Sequence, residues 1–217
     1  MSLYHRLREG AGRDWRAYVE HDFVKRLADG SLPEACFRHY LIQDYLFLIQ
    51  FARAYGLAAY KASDLEDIRA ASAALGAIVD TEIRLHIEFC AGWGLSEADM
   101  ASAPEAAETM AYTRYVLDRG MAGDLLDLHV ALAPCIVGYA EIGAGIGEVA
   151  GDHPYKAWIE MYASDDYQQV AVDEICLIDS LFERTGSEAR VADLQRTFDK
   201  ATRLEADFWQ MGLDSRA

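Results

Sequence analysis

Apolar residues recur at helical spacing along most of this chain, and Val130–Glu141, VALAPCIVGYAE, reads as the middle of a long apolar helix. Pro134 lies inside that run, where it deletes one backbone N–H and crowds the carbonyl one turn back, which predicts a bend. Asp124 is placed to cap this helix, and its glycine-rich second half, EIGAGIGEVAG, suits close packing of another helix. Upstream, Phe37, Tyr40, Leu41, Phe47, Leu48 and Phe51 form the stripe of a helix over about Glu34–Tyr60, opened by Ser31-Leu32-Pro33. Asp64 opens a further helix to about Cys90, alanine-rich at first and charged in DTEIRLHIEF. GWGLSEADMASAP reads as a loop, after which Pro104 starts a helix ending at Gly120. HPYKAWIEMY carries Tyr155, Trp158, Ile159 and Tyr162 at helical spacing. Ser164 caps a helix whose inner face is read as Val170, Ile175, Ile178 and Phe182. A last helix, Glu188 to about Met211, turns Phe198, Leu204, Phe208 and Trp209 inward. Ahead of all these, residues 1–12 are polar and read as a lead-in. Asp14 is then the cap of a first helix bearing Trp15, Tyr18, Val19, Phe23 and Leu27, ended by Gly30. With no repeat, linker or break in composition, the expectation is one all-α domain over residues 1–217.

Composition narrows what such a domain does. At 217 residues and 52% hydrophobic content, the chain can bury a core without metal or disulfide staples. A net charge of −16 argues against the clustered cations that nucleic acid or an anionic lipid surface requires. Cys36, Cys90, Cys135 and Cys176 are far apart, with no C-x-x-C spacing and no nearby histidines for zinc, so free thiols in a reducing cytoplasm are expected. MSLYHRLREG lacks the apolar centre of a signal peptide. No run reaches the ~18 apolar residues of a membrane helix.

Several polar residues break the apolar pattern. Asp44 falls on the stripe of its helix, one turn after Leu41 and one before Phe47 and Leu48. A carboxylate there either reaches solvent or an arginine at the stripe's edge, or lines a cavity beside Phe47. Cys135 sits next to Pro134 with Tyr139 one turn along the same face, a buried small hydrophobe or a nucleophile facing a cavity. Glu205 stands three before Phe208 and four before Trp209. Tyr112 and Tyr115 lie three apart on their helix. Glu82 and His86 share a face four apart, which reads as a surface ion pair before a metal site.

Four segments in this order resemble the TenA/thiaminase II family: GSLPEACFRHYLIQDYLFLIQFAR (Gly30–Arg53), ALAPCIVGYAEIG (Ala131–Gly143), HPYKAWIEMYAS (His153–Ser164) and EADFWQMG (Glu205–Gly212). The resemblance spans about Trp15–Leu213. It implies a haem-oxygenase-like helical bundle with a central enclosed pocket, tetrameric assembly, and cofactor-free hydrolysis of an aminopyrimidine related to thiamin. The substrate implied is 4-amino-5-aminomethyl-2-methylpyrimidine, the product its 5-hydroxymethyl counterpart for thiamin salvage. Many members also cleave thiamin. The family's chemical residues, an Asp, a Cys and a C-terminal Glu, fall on Asp44, Cys135 and Glu205, and Cys135 places the chain in the cysteine-containing branch. Family tyrosines match Tyr112, Tyr139 and Tyr162. Asp22 stands where members often carry proline, and Tyr167 where phenylalanine is common.

These residue types suit that chemistry. A flat aminopyrimidine needs an aromatic shelf, which Phe47 can supply, and a carboxylate at its polar edge, which Asp44 can supply. A thiolate can add to a ring carbon beside nitrogen and so release the group on the exocyclic methylene. The charge that develops on ring nitrogen needs an acid, and desolvation beside Phe208 and Trp209 favours the neutral form of Glu205. Tyr139 can orient the thiol, with Tyr112 and Tyr162 as binding contacts. Two alternatives remain open at this point: a haem or di-iron protein on the same fold, with Glu82 and His86 as its best ligand pair, and a non-enzymatic pyrimidine-binding regulator.

Overall fold

The computed structural model describes residues 2–215, and among them helix dominates and no strand occurs. By their internal contacts the residues fall into two units, Met1–Leu32 with His129–Gln210, and Pro33–Leu128 with Met211–Ala217. Helices α8 and α11 are described with the first unit, where most of their residues fall.

In the first unit, α1 (Leu3–Val19) starts within what the sequence presents as a polar lead-in. Ser2 caps it by accepting from the His5 amide, and Leu3, Tyr4, Leu7, Ala11, Trp15 and Tyr18 are buried at spacings of one helical face. The arginines and glutamate between them occupy the other face, so the average over the segment conceals its stripe. Asp14 is therefore mid-helix, not a cap, and its Oδ2 lies 2.9 Å from Arg203 Nη1. The chain breaks at His21, whose ring nitrogen caps α2 (Asp22–Ala28) by accepting from the Phe23 amide. Asp22 puts a carboxylate at the positive end of this helix. Gly30, at φ +75°, then turns the chain.

The remaining helices of this unit are α8 (Leu125–Ile146), α9 (Lys156–Ala163), α10 (Asp165–Thr185) and α11 (Val191–Asp214), the last preceded by a 3-10 turn at Glu188–Arg190. Their core is aromatic: Trp15 stacks on Phe198 at 5.6 Å and 11°, and Phe23 on Trp209 at 4.9 Å and 15°. On α10 the buried face is Ala171, Glu174, Ile178 and Leu181, while Val170 is 48% exposed. Ile178 is buried as expected and Ile175 and Phe182 are half-buried, but Val170 is exposed and a carboxylate goes inside. Glu174 is held there by His129 of α8, whose Nδ1 lies 2.9 Å from Oε1 and 3.1 Å from Oε2. Among the described residues α8 alone is long and apolar enough to cross a membrane, against the expectation that no run would qualify, and 89% of its apolar window is buried in the protein.

In the second unit, α3 (Glu34–Lys61) matches its sequence expectation within a residue, with Pro33 at the N-cap position. The helix opened by Asp64, which caps it by accepting from the Asp67 amide, is interrupted: α4 (Leu65–Ala77) passes through a π turn at Ile78–Glu82 into α5 (Ile83–Gly92). The expected loop contains a short α6 (Glu97–Ala101), begun by a capping box between Ser96 and Asp99. Next comes α7 (Ala107–Ala122), which begins three residues beyond Pro104. Buried Gln43 of α3 sets that start. Its Nε2 donates to the Pro104 carbonyl at 2.9 Å, and its Oε1 accepts from the Ala106 amide at 2.9 Å and Thr109 Oγ1 at 2.8 Å.

Candidate active site

The predicted site residues fall into two groups, each built within one unit. In the second unit, Asp44, Phe47 and Tyr112 are 4%, 4% and 1% exposed. The rings of Phe47 and Tyr112 lie 5.2 Å apart at 39°, and Phe51 stacks against Phe47 at 5.5 Å. Asp44 precedes Phe47 by three residues on α3, so both project from the same side of the helix. Neither solvent nor an arginine satisfies the Asp44 carboxylate. Tyr40, one turn before it, donates its hydroxyl to Oδ2 at 3.1 Å, and His86 Nε2 lies 2.6 Å from the same oxygen.

His86 therefore corrects the sequence expectation. It is not a surface partner for the Glu82 carboxylate: the side chain is fully buried, and its Nδ1 meets the backbone carbonyl of Glu82 at 2.8 Å. Burial works against a charged ring, but the hydrogen bond and charge of Asp44, helped by the Glu82 carbonyl and carboxylate, outweigh it and raise the His86 pKa above 6.5. A sequence signal existed. His86 shares a face with Ile83, Phe89 and Cys90, and Cys90 is buried, with its thiol pushed up to about 11 chiefly by burial. What the sequence could not supply was the partner, 42 residues away. Since His86 is engaged by Asp44, the best pair of the di-iron alternative is committed elsewhere, and no cluster of three or more metal-ligating side chains occurs among the described residues.

In the first unit, Cys135 is half-buried on α8 and Glu205 of α11 is 1% exposed. Tyr139 and Tyr162 meet at 4.9 Å, with Tyr139 also 5.2 Å from Trp209 and Trp158 packed on Tyr162 at 4.5 Å. Tyr167 closes on Tyr162 edge-to-face at 4.7 Å. Gln168 fixes the helices that carry these rings by donating through Nε2 to the Ala140 and Tyr162 carbonyls, each at 2.9 Å. Glu141 faces elsewhere, as its offset from Tyr139 predicts, and receives Arg8 Nη2 at 2.8 Å and Trp15 Nε1 at 3.0 Å.

The backbone ahead of Cys135 is also held. Tyr18 donates its hydroxyl to the Pro134 carbonyl at 3.2 Å. Gly138 makes room for it: a Cβ there would stand 2.2 Å from the Tyr18 ring. Proline and glycine within one stretch of α8 thus let Tyr18 anchor the carbonyl of the residue that precedes Cys135.

From residue 12 to residue 215 the sequence matches the TENA/THI-4/PQQC family. The chain belongs to that family. Among TENA/THI-4/PQQC relatives, it is 36% identical to the aminopyrimidine aminohydrolase of Halalkalibacterium halodurans, covering 100% of this chain and 97% of that one. It is 30% identical to the aminopyrimidine aminohydrolase of Bacillus subtilis, over 97% and 89% of the two chains. A solved structure of a TenA family transcription regulator from Silicibacter sp. TM1040 superposes with a TM-score of 0.93 at 44% identity, covering 98% of this chain and 96% of that one. The all-α helical-bundle fold of the TenA proteins is the fold of this chain.

Proposed function

We propose that this protein is a hydrolase of thiamin salvage that converts 4-amino-5-aminomethyl-2-methylpyrimidine and water into the 5-hydroxymethyl pyrimidine and ammonia. Its identity to the Halalkalibacterium halodurans aminohydrolase, end to end at 36%, carries this reading. In the scheme, the Cys135 thiolate adds to a ring carbon beside nitrogen, and the displaced electron pair goes to that nitrogen, which Glu205 protonates. The ring electrons then expel ammonia from the methylene carbon. Water adds at that carbon, and loss of the thiolate restores the aromatic ring. Asp44 accepts from the amine on the pyrimidine edge while Phe47 and Tyr112 offer aromatic faces. Tyr139 orients the thiol, and Tyr162 backs it. The scheme uses no metal or cofactor.

The same reading makes the protein a cytoplasmic homotetramer. In support, none of the four cysteines forms a disulfide. The second unit also exposes apolar side chains, Tyr60 at 86%, Leu65 at 57%, Val79 at 48% and Met121 at 67%, that an interface between copies would cover.

Incubation of the purified protein with the aminomethyl pyrimidine, and separately with thiamin, tests the activity. Hydroxymethyl pyrimidine should form from the first. Tight binding of that product with no hydrolysis of either compound would replace this reading with the non-enzymatic regulator that the name of the Silicibacter relative suggests.

A further inference from the structure

The contact between His86 and Asp44 has no part in the scheme above, yet its geometry determines where its protons lie. The Glu82 carbonyl has no hydrogen to give, so the 2.8 Å contact to His86 Nδ1 requires Nδ1 to carry a proton and donate it. That leaves Nε2, 2.6 Å from Asp44 Oδ2, with one proton shared in the contact. The ionisable groups that face the ring are Asp44 from α3 and Glu82 from the π turn, both acidic, while Tyr40 adds a donor to Oδ2. Among the described residues no lysine or arginine pairs with Asp44, so His86 is its source of positive charge. The His86 side chain is 0% exposed and that of Asp44 6%. An anion in such a place is stable only with a bonded cation. Both donors meet Oδ2, and among the described residues Oδ1 makes no hydrogen bond. Glu82, whose carbonyl fixes the ring, is the last residue of the π turn Ile78–Glu82, the kind of helix interruption that recurs at functional sites.

We infer that His86 is a positioning residue: bonded to the π turn through Nδ1 and to Asp44 through Nε2, it holds Asp44 as a fixed anion whose Oδ1 is left to accept the ring amine of the aminopyrimidine. This rests on the reading above, in which Asp44 meets the substrate edge. The raised His86 pKa agrees with the charged form of the ring that the geometry calls for.

Two measurements on the full-length protein test the assignment. In the first, 15N-labelled histidine spectra of the wild type are compared with those of His86→Gln, which identifies the His86 signals without reference to turnover. Both ring nitrogens of His86 should carry protons near neutral pH. A neutral ring with bare Nδ1 overturns the inference. In the second, hydrolysis of the aminomethyl pyrimidine is followed against pH for the wild type, His86→Gln and His86→Phe. His86→Phe should raise KM about 10- to 100-fold, the scale of a lost hydrogen bond to a charged group, with a smaller change in kcat. With the cation gone, burial favours the uncharged acid, so the acid limb of kcat/KM should move to higher pH. His86→Gln restores a donor without charge and should recover part of the KM while leaving the acid limb displaced. If both variants fold and keep the wild-type KM and pH profile, His86 only fills space. Should His86→Phe not fold, the His86→Gln profile alone decides between these outcomes. If the wild type hydrolyses nothing, the enzymatic reading fails, while the nitrogen spectra still decide the state of His86.

Discussion

Gly143 lies against the main chain of Tyr162: a Cβ placed on it would stand 2.4 Å from the Tyr162 carbonyl carbon and 2.7 Å from the Ala163 nitrogen. These are backbone atoms, which cannot swing aside as a flexible side chain can. Gly143→Ala should therefore push α9 from α8 and cost about 1–3 kcal/mol, as overpacking does. Denaturant unfolding would measure that cost. Weakened aromatic contacts should also appear as a change in near-UV circular dichroism, because Tyr139 of α8 meets Trp158 and Tyr162 of α9.

The buried pair of His129 and Glu174 joins α8 to α10. Glu174→Ala leaves the imidazole without its carboxylate and should destabilise the fold by about 3–5 kcal/mol. His129→Ala should do the same. The double variant should lose less than the sum of the two, since the singles remove one shared interaction. A double-mutant cycle from chemical denaturation checks this.

Cys135→Ser should abolish hydrolysis of the aminomethyl pyrimidine while hydroxymethyl pyrimidine still binds. Glu205→Gln should lower kcat by about 100- to 10,000-fold, the range for loss of a general acid. Steady-state kinetics and product titration separate the two effects. A fully active serine variant would remove Cys135 from the nucleophile role.

Stability should vary with pH in a definite sense through His86. Its folded pKa lies above the ordinary 6.5, so the stabilisation it gives is complete below that value and fades as pH rises through the folded pKa. The gap in melting temperature between the wild type and His86→Gln should therefore be widest in mild acid and narrow in alkali. A gap that stays constant or widens upward in pH would contradict the assigned charge.

Much of the architecture could be read from local pattern. Glu34–Lys61 was legible because its aromatic stripe is dense, and the caps Asp64 and Ser164 because each side chain accepts from an amide three residues on. Residues 3–12 were not, because their buried face is diluted by charge and two glycines. On α10 the pattern found Ile178 but not Glu174, which goes inside only through His129, a distant partner that no periodicity reports. Asp44 stood out as a carboxylate on an apolar stripe, but its cation did not. That cation is a histidine in a segment whose charge suggests surface, and the ring's orientation depends on a carbonyl.

The π turn at Ile78–Glu82 also acts as a spacer within a nearly continuous rod. A π turn takes up one residue more than an α turn, and each residue of an α-helix advances the side chains by about a quarter of a revolution. A chain lacking any one residue of 78–82 could wind straight from α4 into α5 and would still look like a good helix. Its imidazole, however, would swing away from the carboxylate it now meets. A deletion that improves local helicity should therefore undo a contact 42 residues away in sequence, because the irregular turn sets the aim of α5.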